Sequence, residues 1–184
     1  FQSSIHVEQN LKPIPSLLTD PDADFWFWNY ARAGDATLSA PQFAVPTPNP
    51  AATGTVTLRV ALQGATNLAA GNDHHAHVLV NSTEVGDAAW DGITPYVLTA
   101  TFDAALLATN GNNTITVRGT LDSGVSSCVF WVNSFDVDYP RTYQAISNQL
   151  WLRGAGNSVA TVSGFSSADI AVLRSDAEVE RQAP

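Results

Sequence analysis

Through the first 140 or so positions, apolar and polar residues alternate in short runs with a period of two, the pattern of half-buried β-strands. Gly54–Gln63 (GTVTLRVALQ) sets Val56, Leu58, Val60 and Leu62 on one face. His75–Val80 predicts a strand that turns through Asn81-Ser82-Thr83-Glu84 into a short strand at Val85. Thr94–Phe102 predicts another, and Asn113–Gly119 follows the turn Asn110-Gly111-Asn112. The longest extended stretch is Ser126–Tyr139, where strict alternation places Val129, Trp131, Phe135, Val137 and Tyr139 together on one face.

Helical patterns are scarce. Asp103–Thr109 (DAALLAT) is good for one or two turns, capped by Asp103 and stopped at Asn110-Gly111. Asp24–Ala33 is rich in aromatics and reads as a short helix or an irregular segment. Many short strands with turns every 8 to 12 residues predict an all-β chain, a sandwich or barrel. The helices that a parallel sheet would require are absent from the pattern. Pro41–Pro50 (PQFAVPTPNP) reads as an edge or a connector, because proline cannot donate to a ladder. Beyond Tyr139-Pro140, Leu150–Arg153, Ser158–Gly164 and Asp169–Leu173 predict three more short strands. The expected organisation is thus a sandwich over residues 1–140. A β-rich extension over 141–184 would complete that sandwich or lead to a next module. The charged tail Ser175–Pro184 is expected to fray.

Several of these segments together resemble a known class. Val78–Gly92 (VLVNSTEVGDAAWDG), Leu106–Val117 (LLATNGNNTITV) and Phe130–Tyr139 (FWVNSFDVDY) are similar to elements of galactose-binding-like jelly rolls. A longer ordered set is Ile5–Asn10, Asp24–Gly34, Asp73–Val80, Trp90–Thr94, Leu121–Gly124, Ser134–Tyr139 and Gly164–Ile170. This set resembles the non-catalytic β-sandwich region of bacterial gingipain-like cysteine peptidase proteins. The resemblance implies a jelly-roll β-sandwich with an accessory role. The cysteine and histidine dyad of those proteins belongs to a separate α/β domain, of which this chain shows no pattern.

Charge changes the picture by exclusion. Seventeen acidic residues against eight basic ones give a net charge of −9, and Lys12 is the sole lysine. Such a chain repels phosphate backbones and anionic bilayers, so neither nucleic acid nor a membrane surface is an expected partner. No apolar run reaches the roughly 18 residues of a membrane-spanning helix. The start, Phe1-Gln2-Ser3-Ser4, lacks the plan of a signal peptide, and the chain contains no methionine, as in a mature fragment or an excised module.

Candidate chemistry is sparse. Cys128 stands alone in a strand-like run, where a thiol behaves as a small hydrophobe rather than a nucleophile. No glycosidase carboxylate pair, phosphate loop or nucleophile elbow is recognisable. In Asp73-His74-His75-Ala76-His77, strand parity points Asp73, His75 and His77 the same way, the start of a transition-metal site or simply a solvated face. Trp26, Trp28 and Tyr30 form an alternating aromatic row, and Trp90 with Asp91 occupies a loop-like context. Flat amphipathic rings of this kind suit stacking on sugars, and equally suit a core. The jelly-roll resemblance further implies a structural Ca²⁺ between first and last strands, held by Glu8 and Asp138 with Asp136 in reserve.

The expected function is a non-catalytic, secreted or cell-surface binding module, bacterial in origin and most plausibly carbohydrate-binding. The alternative is a structural or pro-region-like domain packing on a peptidase domain of the same parent. A small metal-dependent enzyme built on His75 and His77 comes last.

Overall fold

In a computed structural model of the chain, residues 1–15, 24–69, 71–152, 156 and 159–173 are described. Two compact units emerge, Phe1–Thr142 and Tyr143–Pro184. In the first, the alternating runs become strands β1 (Gln2–Glu8), β2 (Lys12–Pro13), β3 (Trp26–Phe27), β4 (Asn29–Arg32), β5 (Gln42–Pro46) and β6 (Thr55–Gly64). They continue as β7 (His74–Val80), β8 (Thr83–Trp90), β9 (Pro95–Asp103), β10 (Asn112–Gly119) and β11 (Val129–Pro140).

The first unit is an all-β jelly-roll β-sandwich. A five-stranded antiparallel sheet runs β1-β11-β6-β9, with β4 joined to β11 beside β1. Facing it is a four-stranded antiparallel sheet, β5-β10-β7-β8. The inward rows of both sheets make one core: Val56, Leu58 and Val60 from β6, Ala76, Val78 and Val80 from β7, Phe130, Phe135 and Tyr139 from β11. Each of these is at most 1 % exposed, the density at which every lost methylene is felt. The segment 24–33, read from sequence as a short helix or irregular, is extended instead. It contributes β3 and β4, because pairing with β2 and β11 outweighs local preference.

Two local features decide which side chains face where. Between β7 and β8, Asn81 and Ser82 both adopt positive φ, 48° and 74°. Such a two-residue primed turn matches the twist of the flanking strands, and Asn81 tolerates it well. Strand β8 is accordingly longer than the short element expected at Val85. The second feature is a β-bulge in β11, where the register against β6 shifts between Val132 and Phe135. It inverts parity part-way along the strand. Phe130 and Val132 point inward before it, Phe135, Val137 and Tyr139 after it. Val129 and Trp131 therefore lie on the outer face, not with Phe135, Val137 and Tyr139 as uninterrupted alternation predicted.

The expected turns at 103–109 reduce to a 3-10 turn, Ala104–Leu106, capped by Asp103 accepting from the Ala105 amide at 2.8 Å. In the second unit, the extended backbone of the described residues is tied by isolated bridges, Gln144 with Ser163 and Ile146 with Gln149. The ladders expected over 150–152, 159–164 and 169–173 do not form. Arg153, Ser158 and the tail Ser175–Pro184 fall outside the described residues.

The sandwich has two unlike lateral edges. On one, β8 crosses directly to β9 through the loop 91–94, and the two strands approach closely at Gly86. There a Cβ would sit 3.1 Å from that of Ala100, so the absence of a side chain permits the contact. The loop is pinned by buried groups. Asp73 accepts from the Gly92 amide at 2.9 Å and the Leu68 amide at 3.0 Å, and His74 Nε2 donates to the Gly92 carbonyl at 3.1 Å. On the opposite edge, β1 and β5 each have a ladder partner on one side only among the described residues.

Candidate binding surface

The aromatics singled out by sequence divide between inside and outside. Trp28 is 8 % exposed, its ring edge-on to Phe43 and Phe135 at 5.1 and 5.7 Å. Trp90 is 5 % exposed, stacked on His74 at 4.8 Å and on Tyr96 at 5.0 Å, and edge-on to Phe130. Both rings are core material, which corrects their reading as sugar-stacking faces. The row Trp26, Trp28, Tyr30 fails as a row because the backbone bends at Trp28 between β3 and β4, so Phe27 and Trp28 are both buried. Trp26 stays 37 % exposed and stacks on Phe25 at 5.9 Å, and Asp91 is exposed beside the pinned loop.

Tyr30 does reach the surface, and there it meets a residue that alternation had placed in the core. On the outer face of the five-stranded sheet, the cross-strand row Tyr30, Trp131, Gln63, Pro95 runs over β4, β11, β6 and β9. The Tyr30 and Trp131 rings lie 5.0 Å apart, tilted by 49°, and Phe27 packs against Trp131 from beneath at 5.6 Å. Trp131 and Tyr30 are half-buried, each ring packed against neighbours. Beside the pair, Asn133 donates to Asp24 at 3.2 Å, while Gln63, 5 % exposed, is buried with its amide on the Gly64 carbonyl at 3.1 Å. Such a fixed aromatic surface with amide and carboxylate neighbours suits a flat ligand bearing many hydroxyls. The only sequence signal for Trp131 is the polar pair Asn133-Ser134 interrupting FWV and FDVDY, where the bulge forms.

The candidate metal ligands are already occupied by cations. On the outer face of β1 and β11, Asp138 accepts from the Ser4 hydroxyl and, at 2.8 Å, from the Arg59 guanidinium. These two bonds hold its carboxyl below the usual range. Asp136 and Glu8 flank His6 at 2.7 and 3.3 Å, and the bond to Asp136, then that to Glu8, raises the imidazole pKa. Calcium needs six or more converging oxygens, and here Arg59 and His6 stand where a cation would act. The arrangement does not fit that ion.

The second set does not converge either. His75 and His77 stack at 4.4 Å on the outer face of the four-stranded sheet. His75 bonds Asp122 at 2.9 Å and Asp87 at 3.2 Å, and its pKa is raised chiefly by Asp122 against an opposing effect of burial. His77 bonds Glu84, which also takes the Arg118 guanidinium; the His77 bond is the main cause that lowers the Glu84 pKa. Asp73 shares their parity in sequence but precedes the strand, and its carboxylate is turned into the core against backbone amides. Among the described residues no three His, Cys, Asp or Glu side chains gather as a metal set. Cys128 is 1 % exposed, and burial pushes its thiol pKa up, away from nucleophilic chemistry.

A groove of about 310 Å³ lies along the β1 edge, lined by Ile5, His6 and Val7, by Pro46 and Pro48, and by the turn Asn110–Asn112.

No family model matches the sequence, and no curated protein matches it. Among solved structures the fold is similar to part of dimeric latent PorU from Porphyromonas gingivalis, with a TM-score of 0.57 at 11 % identity. The likeness covers 86 % of this chain but only 14 % of PorU, so the chain spans about a seventh of that protein's length. Looser likenesses include the carbohydrate-binding module CBM36, in complex with calcium and xylotriose, at a TM-score of 0.45 and 16 % identity over 73 % of this chain and 98 % of that one. Another is the C-terminal CBM6 of LamC from Zobellia galactanivorans, at 0.39 and 8 % identity over 73 % of this chain and 98 % of that one.

Proposed function

We propose that the first unit is a non-catalytic binding module for carbohydrate, acting outside a bacterial cell as part of a larger protein. The observation that carries the reading is the Tyr30–Trp131 pair, two aromatic rings packed together on the outer face of the five-stranded sheet. A sugar ring presents axial C–H bonds to such a face and hydroxyls to the amides and carboxylates around it. The net charge of −9 favours a neutral glycan over an anionic one.

Gel retardation by a panel of soluble neutral polysaccharides, with pull-down on insoluble ones, tests this directly. At least one is expected to hold the chain; retention by none contradicts the proposal. Binding is expected to need no metal, because Asp138 is engaged by Arg59, and Asp136 and Glu8 by His6. Adding EDTA should leave both the retardation and the thermal midpoint unchanged. A midpoint that falls with EDTA and returns with Ca²⁺ would overturn that part.

A second reading is supported by the fold likeness to a segment of PorU and by the ordered resemblance to gingipain-like proteins. In it the domain packs on a peptidase domain of its parent. Ile93 and Val97, 46 % and 57 % exposed near the same sheet face, are the apolar side chains such a contact would cover.

A further inference from the structure

The two lateral edges of the sandwich pose different hazards. Strand β5 is guarded by proline at its end, Pro46, and by Pro41 and Pro48 beside it; β9 opens on Pro95, and β8 and β9 close on one another at Gly86. Strand β1 has none of these protections. It is seven residues long and free of proline and lysine, and it pairs without a bulge along its whole length with β11. An edge of this kind offers a row of unused backbone donors and acceptors to another strand.

The parity of that row follows from its first bonds. The Phe1 amine donates to the Arg141 carbonyl at 3.0 Å, and the Arg141 amide returns a bond to the Phe1 carbonyl at 2.8 Å. This reciprocal pair makes Ser3, Ile5 and Val7 the residues whose backbone groups turn toward β11. Gln2, Ser4, His6 and Glu8 then turn their N–H and C=O groups outward. Gln2 lies opposite Pro140, which has no N–H to give, as this parity requires.

We infer that the β1 edge binds the β1 edge of a second copy of this chain, antiparallel and centred on Ile5. Only the register centred on Ile5 pairs all seven residues of the strand while keeping outward backbone groups opposite outward backbone groups. It sets Gln2 against Glu8 and Ser4 against His6 on the outer side, an amide facing a carboxylate and a hydroxyl facing an imidazole. No like charges oppose each other. On the inner side Ile5 meets Ile5 of the second copy and Ser3 meets Val7, over the groove that Ile5, Val7, Pro46 and Pro48 line. Closing that groove removes half-buried apolar surface from water on both copies. The two five-stranded sheets become one continuous sheet through a two-fold axis.

Sedimentation of the full chain at about 100 µM reads the outcome. The inference predicts a mass of 39.0 kDa, twice the 19.5 kDa of one chain. Ser4→Pro removes an outward N–H and the Ser4 hydroxyl bond to Asp138 while leaving the backbone bonds to β11 in place, and is expected to return the mass to that of one chain. A wild-type mass of one chain, or a doubled mass that survives Ser4→Pro, overturns the inference. Should Ser4→Pro fail to fold, Ile5→Cys decides independently. A wide antiparallel pair holds its Cα atoms about 4.5 Å apart, within disulfide range. Mild oxidation should link Ile5→Cys into a covalent dimer, the buried Cys128 staying reduced. Linkage no faster than that of Val97→Cys, on the exposed face of β9, is the contrary result.

Discussion

Trp90 and Trp131 belong to one small neighbourhood of the fold yet do opposite work. Phe130 touches Trp90 from inside the sandwich at 5.3 Å, while the next residue along β11, Trp131, stands on the outer face against Tyr30. The inner ring is enclosed by His74, Tyr96 and Phe130, and its indole N–H is buried with no acceptor among the described residues. That is a ring kept for its bulk. The outer ring packs against Phe27 and Tyr30 and is only half-buried, which leaves part of it for a ligand. Composition makes the two residues equal; the phase of the strand separates them.

The phase itself is the most damaging thing to alter. Inserting one alanine between Phe135 and Asp136, beyond the bulge, forces Val137 and Tyr139 to present the wrong face to the core. The expected outcome is loss of any cooperative unfolding transition, read by near-ultraviolet circular dichroism during a urea titration. A cooperative transition near that of the wild type would show that the phase of β11 is not fixed by the core.

Truncating the inner ring comes next. Trp90→Ala should cost about 3–5 kcal/mol, as large-to-small changes at enclosed aromatics do. In a chain of this length that is a fall of roughly 10 °C in thermal midpoint. Trp131→Ala, at a half-buried ring, should cost about 1–2 kcal/mol in the same assay. If the two values coincide, the division between an inner and an outer aromatic set is wrong.

The smallest effect concerns the ionic faces around the aromatic ones. His6 and His75 both have folded-state pKa values raised above 6.5 by carboxylate partners. A raised value means that each pair stabilises fully below the unfolded pKa and is lost as pH rises through the folded one. The urea midpoint should therefore decline as pH rises above 6.5, by less than about 1 kcal/mol because His6 is about half exposed and the partners Asp87 and Asp122 are exposed. The double variant His6→Gln, His75→Gln should flatten that decline. Asp138 acts with the opposite sign: its lowered pKa gives stability present above the ordinary 3.8 and lost as pH falls through the folded value.

How much of this was legible beforehand follows from the same contrast. The strands of β6, β7, β9 and β10 were readable to within a residue or two, because one face of each is buried and period two then shows directly. Cys128 as buried filler was readable for the same reason. What alternation cannot carry is a change of phase. The bulge moved Trp131 outward, the bend at Trp28 turned a predicted surface ring inward, and Trp90 sits where a strand end, not a loop, meets the core. Asp73 shows a further limit. Parity joined it to His75 and His77, but two backbone amides of neighbouring loops claimed its carboxylate, and partners distant in sequence leave no local trace. Glu8, Asp136 and Asp138, expected as calcium ligands, lie on one face across β1 and β11. Their engagement by His6 and Arg59 depends on cross-strand register, which one strand's sequence does not contain.

The measurement closest to the central claim is affinity electrophoresis of three chains in a retarding neutral polysaccharide: the wild type, Trp90→Phe, and the double variant Tyr30→Ala, Trp131→Ala. The account predicts that Trp90→Phe is retarded as strongly as the wild type. The double variant, still folded by circular dichroism, should migrate as it does without polysaccharide. Undiminished retardation of the folded double variant would contradict it, and would place the binding surface elsewhere on the molecule.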